Sequence, residues 1–332
     1  MNSILRFVAL LAVALVAQPA IGQPPASRYP DRPIDLIVPV APAGSLDILA
    51  RVLAAELEPR LGASVLVKNK PGAGSNIAFE YVAQAAPDGY TLLISPDTIS
   101  INTSLYPKLN YDPQKSFEPI SQVTIAPLVL VTHPGLGVRT VPEFIGLARR
   151  SKSRLNVASP GNGSAGHLAG ELFQRDTGIA WTHIPYKGGG PAITDLLGHH
   201  IDALFLTLAP AVPYIKASSL VGLAVTAARR SPTLPDLPTV AEAGGSPGAA
   251  GLKDYEVTNW QGIFAPSGTP SAAVHRINAE IAQIVRDPRI RAKLFELGFE
   301  PVGGTPEELR DRLRENIPKW AAIVKQAGIV PD

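Results

Sequence analysis

The feature that most constrains this chain is an order of elements that occurs twice. From Ile34 comes an apolar strand, IDLIVPV (34–40), then a Gly/Ser loop, APAGS, then a helix with Leu46, Leu49, Leu53 and Leu57 on one face. Gly62 stops the helix. SVLVKNK (64–70) is the next strand and PGAGS the next loop, and a helix, NIAFEYVAQAAP, and a strand, YTLLISP (90–96), complete the set. From Leu155 the order returns: strand LNVAS, loop PGNGSAG, helix HLAGELFQRDTG, strand WTHIPYK, loop GGGP, helix AITDLLGHH, strand IDALFLT. Ser45 to Lys70 and Ser164 to Lys187 are nearly equal spacings. Two βαβαβ halves of one layout predict an α/β protein of two similar domains.

PLVLVTHP (127–134) predicts the strand that enters the second domain, LVGLAVTAA (220–228) a late strand within it, and YEVTNWQGIFAP (255–266) the strand that returns. The first domain is expected at 27–125 plus 229–332 and the second at 126–228. Two crossings make a hinge beside a cleft, and Trp260 is assigned to hinge packing. Thr140 and Glu143 fit a capping box. Near the C-terminus, Thr269 is the expected N-cap, with Pro270 at the first helical position and Val274, Ile277, Ile281 and Ile284 as the apolar stripe. Thr305 and Glu308 fit a second capping box, and Pro318 predicts a kink or a break in the last helix. These helices are expected to pack on the first domain.

Residues 1–22 differ from the rest. Arg6 precedes an apolar run, Phe7 to Ala17, and Ala20-Ile21-Gly22 supplies small residues for cleavage, so the segment is predicted to be a secretory signal peptide. The mature chain is then exported and soluble. There is no cysteine, which excludes a disulfide framework, a thiolate nucleophile and Cys-ligated zinc. A net charge of +2 makes no electrostatic case for nucleic acid.

The chemistry lies in the loops. Gly161, Gly163 and Gly166 spell G-x-G-x-x-G between a strand and a helix. A dinucleotide site needs an acid at the end of the following strand, and that strand ends in Tyr186-Lys187; Asp176 falls before it. Ser164 is not in a G-x-S-x-G elbow, because Asn162 takes the first glycine position. A helix starting near Ser164 or Ala165 nevertheless offers free N–H groups and the positive end of its dipole, and Asn162 and Gly163 let a small anion approach. Pro42-Ala43-Gly44-Ser45 before Asp47 does the same in the first domain. Two such starts facing across a cleft would clamp an acid; taken singly, each is also an ordinary βα turn. Asp47 either caps its helix or receives a ligand ammonium. His167 stands toward the cleft or is packed. Lys187 attracts an anion or is merely solvated. His199, His200 and Asp202 read as a solvated turn before a metal site.

NKPGAGSNIAFEYVAQAAPDGYTLL, GSAGHLAGELF, IPYKGGGPAITDLLGHHIDA, LPDLPTVAEAG and NWQGIFAPSGTP resemble the extracytoplasmic solute receptors of the tripartite tricarboxylate transporters, the Bug family, from about Tyr29 to the end. The resemblance implies a two-lobed, type II periplasmic binding protein fold, each lobe a mixed, mainly parallel sheet flanked by helices. It implies a carboxylate held by backbone amides and waters, delivery to integral-membrane permease subunits, a periplasmic monomer, and no cofactor. Carried onto this sequence, the contacts are Ala41, Pro42, Ala43, Gly44 and Ser45, with Asp47 nearby, and Ser95, Pro96, Asp97 and Thr98 in the first lobe. In the second they run from Ser159 through Gly161, Asn162, Gly163 and Ser164 to Ala165, with Tyr186, Lys187, Gly188 and Thr207. The chain departs from the family at Ala43 and His199, where glycine is usual; the Ala43 methyl is expected to narrow the site or tilt an amide.

The leading expectation is therefore an exported receptor for a small carboxylate, without enzymatic activity. An exported sensor feeding a two-component system and an NAD-dependent oxidoreductase are the alternatives.

Overall fold

The computed structural model describes residues 29–151, 153–247 and 249–327. The expected signal peptide lies outside the described residues.

Each half of the repeat builds one open sheet. In the first, β1 (Ile34–Val38), α1 (Ser45–Leu61), β2 (Val65–Asn69), α2 (Asn76–Ala83) and β3 (Thr91–Pro96) place β1 between β2 and β3, all parallel. A short helix, α3 (Thr98–Leu105), follows directly on β3 and has no counterpart in the sequence reading. The chain then enters β4 (Phe117–Thr132), 16 residues long. After α4 (Val141–Arg150), the units β5 (Asn156–Ser159), α5 (Ala165–Thr177), β6 (Thr182–Pro185), α6 (Gly189–Leu197) and β7 (Ala203–Thr207) repeat the arrangement, with β5 between β6 and β7 and all parallel. The chain continues through α7 (Leu208–Lys216), β8 (Val221–Val225), α8 (Val240–Ala243), β9 (Thr258–Pro266), α9 (Ser271–Arg286), α10 (Pro288–Glu296), β10 (Glu300–Pro301) and α11 (Pro306–Ala327).

β4 belongs to both lobes. Its first part, from Phe117 to Pro127, pairs antiparallel with β9, which in turn pairs with β3. Its last part, from Leu128 to Thr132, pairs antiparallel with β7 and β8. The chain returns by way of Thr226. The Thr226 N–H donates to the Leu128 carbonyl (2.9 Å), and the Thr226 hydroxyl accepts the Leu128 N–H (3.0 Å) and donates to the Val257 carbonyl (2.6 Å). One buried threonine thus joins both crossings. The stretch between them, assigned to the first domain by sequence, carries Val240, Leu252 and Tyr255, which pack in the second-lobe core with Phe173 and Phe205.

The core follows from strand alternation. In β1, Leu36 and Val38 pack under α1 and α9 on one face, while Ile37 packs with Phe79 and Phe264 on the other. In β4, Leu128 and Leu130 face one cluster, Val129 and Val131 the other. Strands buried on both faces read as continuous apolar runs for this reason. At the C-terminus, the Thr305–Glu308 capping box is reciprocal (2.8 and 3.1 Å). Thr269 is not the cap; its hydroxyl donates to the Pro266 carbonyl (2.7 Å), and Pro270 takes the cap position. The last helix continues through Pro318. α11 packs against first-lobe residues, but its Trp320 and Val324 join the second-lobe cluster, so it spans both.

Candidate functional site

All the βα turns at the carboxyl ends of the parallel strands open toward the junction of the lobes, where open α/β sheets bind ligands. They enclose a cavity of about 410 Å³. Its walls include the beginnings of six helical segments: Ser45 and Leu46 of α1, Gly72 to Ser75 ahead of α2, Thr98 of α3, Ser164 to Gly166 of α5, Gly189 of α6, and Thr207 ahead of α7. Each such start presents unbonded N–H groups and positive dipole ends. Pro39, Val40, Pro96, Pro160 and Pro185 supply apolar wall, and Tyr106, Tyr186 and Asn259 add polar groups. Lys187 is the one charged residue among the described lining. The Ser45 hydroxyl is buried without a hydrogen-bond partner.

The lobes are closed upon the cavity. The Ala41 N–H donates to the Lys187 carbonyl across the junction (3.0 Å). Gly190 lies so close that a Cβ there would sit 2.6 Å from the Pro42 carbonyl oxygen. Asn162 of the second lobe meets Gly74 of the first, whose φ of +57° sits between Ala73 at +46° and Ser75 at +80°. Three consecutive left-handed residues, two of them not glycine, are strained backbone of the kind that concentrates at functional sites. The loop is held from behind: Asn102 Nδ2 donates to the Gly74 carbonyl (2.8 Å) and to Asn76 Oδ1 (2.7 Å).

Residues 49–329 match the tripartite tricarboxylate transporter family receptor model, TctC. The chain belongs to this family. It is similar to the periplasmic binding protein BugD, at 34% identity and TM-score 0.85 over 92% of this chain and 100% of that one. Rpa4515 of R. palustris with adipate matches at 35% and 0.87 over 92% and 100%. MatC (Rpa3494) from Rhodopseudomonas palustris with bound malate matches at 31% and 0.81 over 89% and 100%. The fold is the two-lobed periplasmic binding protein fold, and the chain is a solute-binding receptor of the tripartite tricarboxylate transporter type.

Of the receptor's sequence-predicted contacts, Ser45, Pro96, Thr98, Gly161, Asn162, Ser164, Ala165, Tyr186, Lys187 and Thr207 line the cavity. Ala41, Pro42, Ala43, Gly44, Asp47, Ser95, Asp97, Ser159, Gly163, His167 and Gly188 do not. Their positions are specific. Asp47 is 3% exposed and accepts from Arg51 Nη2 (2.9 Å) and Nε (3.0 Å), Asn69 Nδ2 (3.0 Å) and the Ala43 N–H (3.0 Å). Burial alone would raise its carboxyl, but the hydrogen bonds from Arg51, Ala43 and Asn69 outweigh that and hold it below the usual carboxylate range. It anchors its own loop and is closed to a ligand ammonium. The Ala43 methyl lies outside the cavity, with its φ at +62°. Asp97 is fully buried and accepts from Asn259 Nδ2 (2.5 Å), with burial pushing its carboxyl well above the usual range. Ser95 donates to the Pro96 carbonyl (2.9 Å). The Tyr186 hydroxyl donates to Asp195 (2.5 Å); burial first, then the Asp195 carboxylate, push it up to about 12. Lys187 is exposed.

The receptor's Gly72–Ser75 loop, Tyr106 and Asn259 were not among the predicted contacts. A signal for the loop was present: it stands after Lys70 as Gly188–Gly190 stands after Lys187. Elsewhere, Asp202 accepts the Asn156 N–H (2.7 Å), and His199 sits against His133. No group of three metal-ligating side chains comes together among the described residues. Trp260 is buried, its indole N–H donating to Asn316 (3.2 Å).

Proposed function

We propose that this receptor works in the periplasm as a monomer, captures a small carboxylic acid without an ammonium group, and hands it to the membrane permease of its transporter. The observation that carries the reading is electrostatic. Six helix beginnings and one lysine surround the cavity, and no carboxylate side chain lines it among the described residues. Negative charge is favoured at helix starts. A ligand cation would be desolvated there without a counter-charge, since Asp47 is engaged by Arg51.

The magnitudes suffice. Charge-assisted hydrogen bonds contribute about 1.5–3 kcal/mol each, and micromolar binding needs about 8 kcal/mol. Four to six such bonds supply that after ordering costs. The bound acids of two relatives, adipate and malate, are the first candidates. We read the role as binding: the Ser159 hydroxyl, whose contact with His183 is 2.7 Å, is itself buried and does not line the cavity. No described helix is long and apolar enough to cross a membrane, in keeping with a receptor that depends on separate permease subunits.

The test is thermal unfolding against a panel of aliphatic, hydroxylated and aromatic acids, the matching amino acids, and nicotinamides. Saturation at about 100 times Kd stabilises by ~2.7 kcal/mol, a shift of several degrees. A response to amino acids or nicotinamides alone would overturn the assignment. Loss of uptake on deleting the permease tests the delivery step.

A further inference from the structure

We infer that His167 is a positioning residue for ligand capture: it locks the Gly161–Ser164 turn in the shape that lines the cavity and receives the first lobe. The inference rests on the receptor reading above.

His167 stands in the first turn of α5. Its N–H is capped by the Ser164 hydroxyl (3.2 Å), the usual N-cap bond. Its ring reaches back in return, and Nδ1 accepts the Gly163 N–H (3.2 Å). This resembles a capping box with an imidazole in place of the usual Glu or Gln, applied one residue before the cap. An accepting Nδ1 places the ring proton on Nε2, which faces Glu171 Oε1 at 3.7 Å.

The other end of the turn is held by a second imidazole. His183 of β6 stacks on His167, with ring centroids 4.0 Å apart and planes 3° from parallel. Its Nε2 lies 2.7 Å from the Ser159 hydroxyl. That hydroxyl accepts the Gly161 N–H (3.2 Å) and contacts the Gly161 carbonyl (3.1 Å). The stacked pair therefore fixes the backbone at both Gly161 and Gly163, and Asn162 between them lines the cavity. Burial, with the neighbouring His183 second, lowers the His167 pKa to about 3, so its accepting nitrogen stays available at neutral pH.

What the turn meets gives this its consequence. A side chain at Gly163 would run into Leu105 of the first lobe, and Asn102 Oδ1 would lie 3.3 Å away. Asn162 meets Gly74. The segment that His167 shapes is thus the surface on which the lobes close. Releasing the Gly163 N–H would disturb both the cavity wall and the closure contact.

The experiment compares wild type, H167L and H167N. Asparagine places Oδ1 where the imidazole places Nδ1, so it keeps the acceptor and loses the ring; leucine loses the acceptor. Nitrogen-15 NMR of wild type at pH 7 should give the Nε2–H tautomer for His167. In adipate and malate titrations H167L should bind at least tenfold more weakly, while H167N stays within about threefold of wild type. The Nδ1–H tautomer, wild-type affinity in H167L, or an H167N as weak as H167L would each overturn the inference. If H167L does not fold, H167N and the tautomer decide it. If no acid binds wild type, the carboxylate assignment falls, and the tautomer together with slow hydrogen exchange at the Gly163 amide still decides the role of His167.

Discussion

The two lobes solve one problem, holding a βα turn open to a ligand, with opposite chemistry. In the first lobe a buried carboxylate, Asp47, grips its loop through Ala43 and is itself gripped by Arg51 and Asn69. In the second, two stacked imidazoles hold Gly161 and Gly163, with burial keeping His167 uncharged. An ionic clasp with a lowered carboxyl keeps its charge through the physiological range. An imidazole clasp works only while uncharged. The lobes therefore differ in robustness, and acid weakens the second first.

The largest effect tests the ionic clasp. Asp47→Ala leaves the Ala43 N–H and Arg51 without this acceptor, while Asn69 keeps the Val40 carbonyl; because Arg51 remains half in solvent, a loss of about 2–4 kcal/mol is expected in urea unfolding. A loss below about 0.5 kcal/mol would mean that the loop holds itself. Next comes pH. The folded His167 pKa, about 3, lies below the ordinary 6.5. Below 6.5 the unfolded chain binds a proton that the folded chain refuses, so this contribution is complete above that value and fades as pH falls toward 3. By pH 4 the loss should be on the order of 3 kcal/mol, and His167→Asn should abolish that part of the slope. Glu171 and His183 face the same ring and shape the curve. An identical slope in the variant would break the contrast between the lobes.

A smaller effect isolates closure. Gly190→Ala adds a methyl that meets Pro42 only when the lobes meet. Affinity for the best acid should fall about tenfold, ~1.4 kcal/mol, with ligand-free stability unchanged; equal losses in both would assign the glycine to the lobe interior. The smallest effect is Ala43→Gly. Relieving a left-handed alanine gains roughly 1 kcal/mol, part of which the unfolded state takes back, so a net gain of about 0.5 kcal/mol in urea unfolding is expected. Destabilisation would mean that the turn tolerates alanine without strain.

The doubled βαβαβ layout was legible because each strand is buried on both faces and each helix carries an apolar stripe. The capping boxes at Thr140 and Thr305 were legible because they are local. The first part of β4 was hidden by its polar residues: Ser121, Gln122 and Thr124 are buried, and Thr124 donates to Gln261 on the neighbouring strand (2.5 Å). Such polarity imitates a surface loop until the partner strand is known. The placement of Asp47 was equally hidden, since Arg51 one turn later is an ordinary helix-surface spacing until Asn69 arrives from another strand. His167 drew attention, but its stacking partner, His183, lies on a different element.

Thr226 has one further consequence. The outgoing and returning strands are bonded to the same buried residue, so sliding either one alone breaks a buried hydrogen bond. Rotation of one lobe against the other must therefore carry both linking strands together, as one joint rather than two.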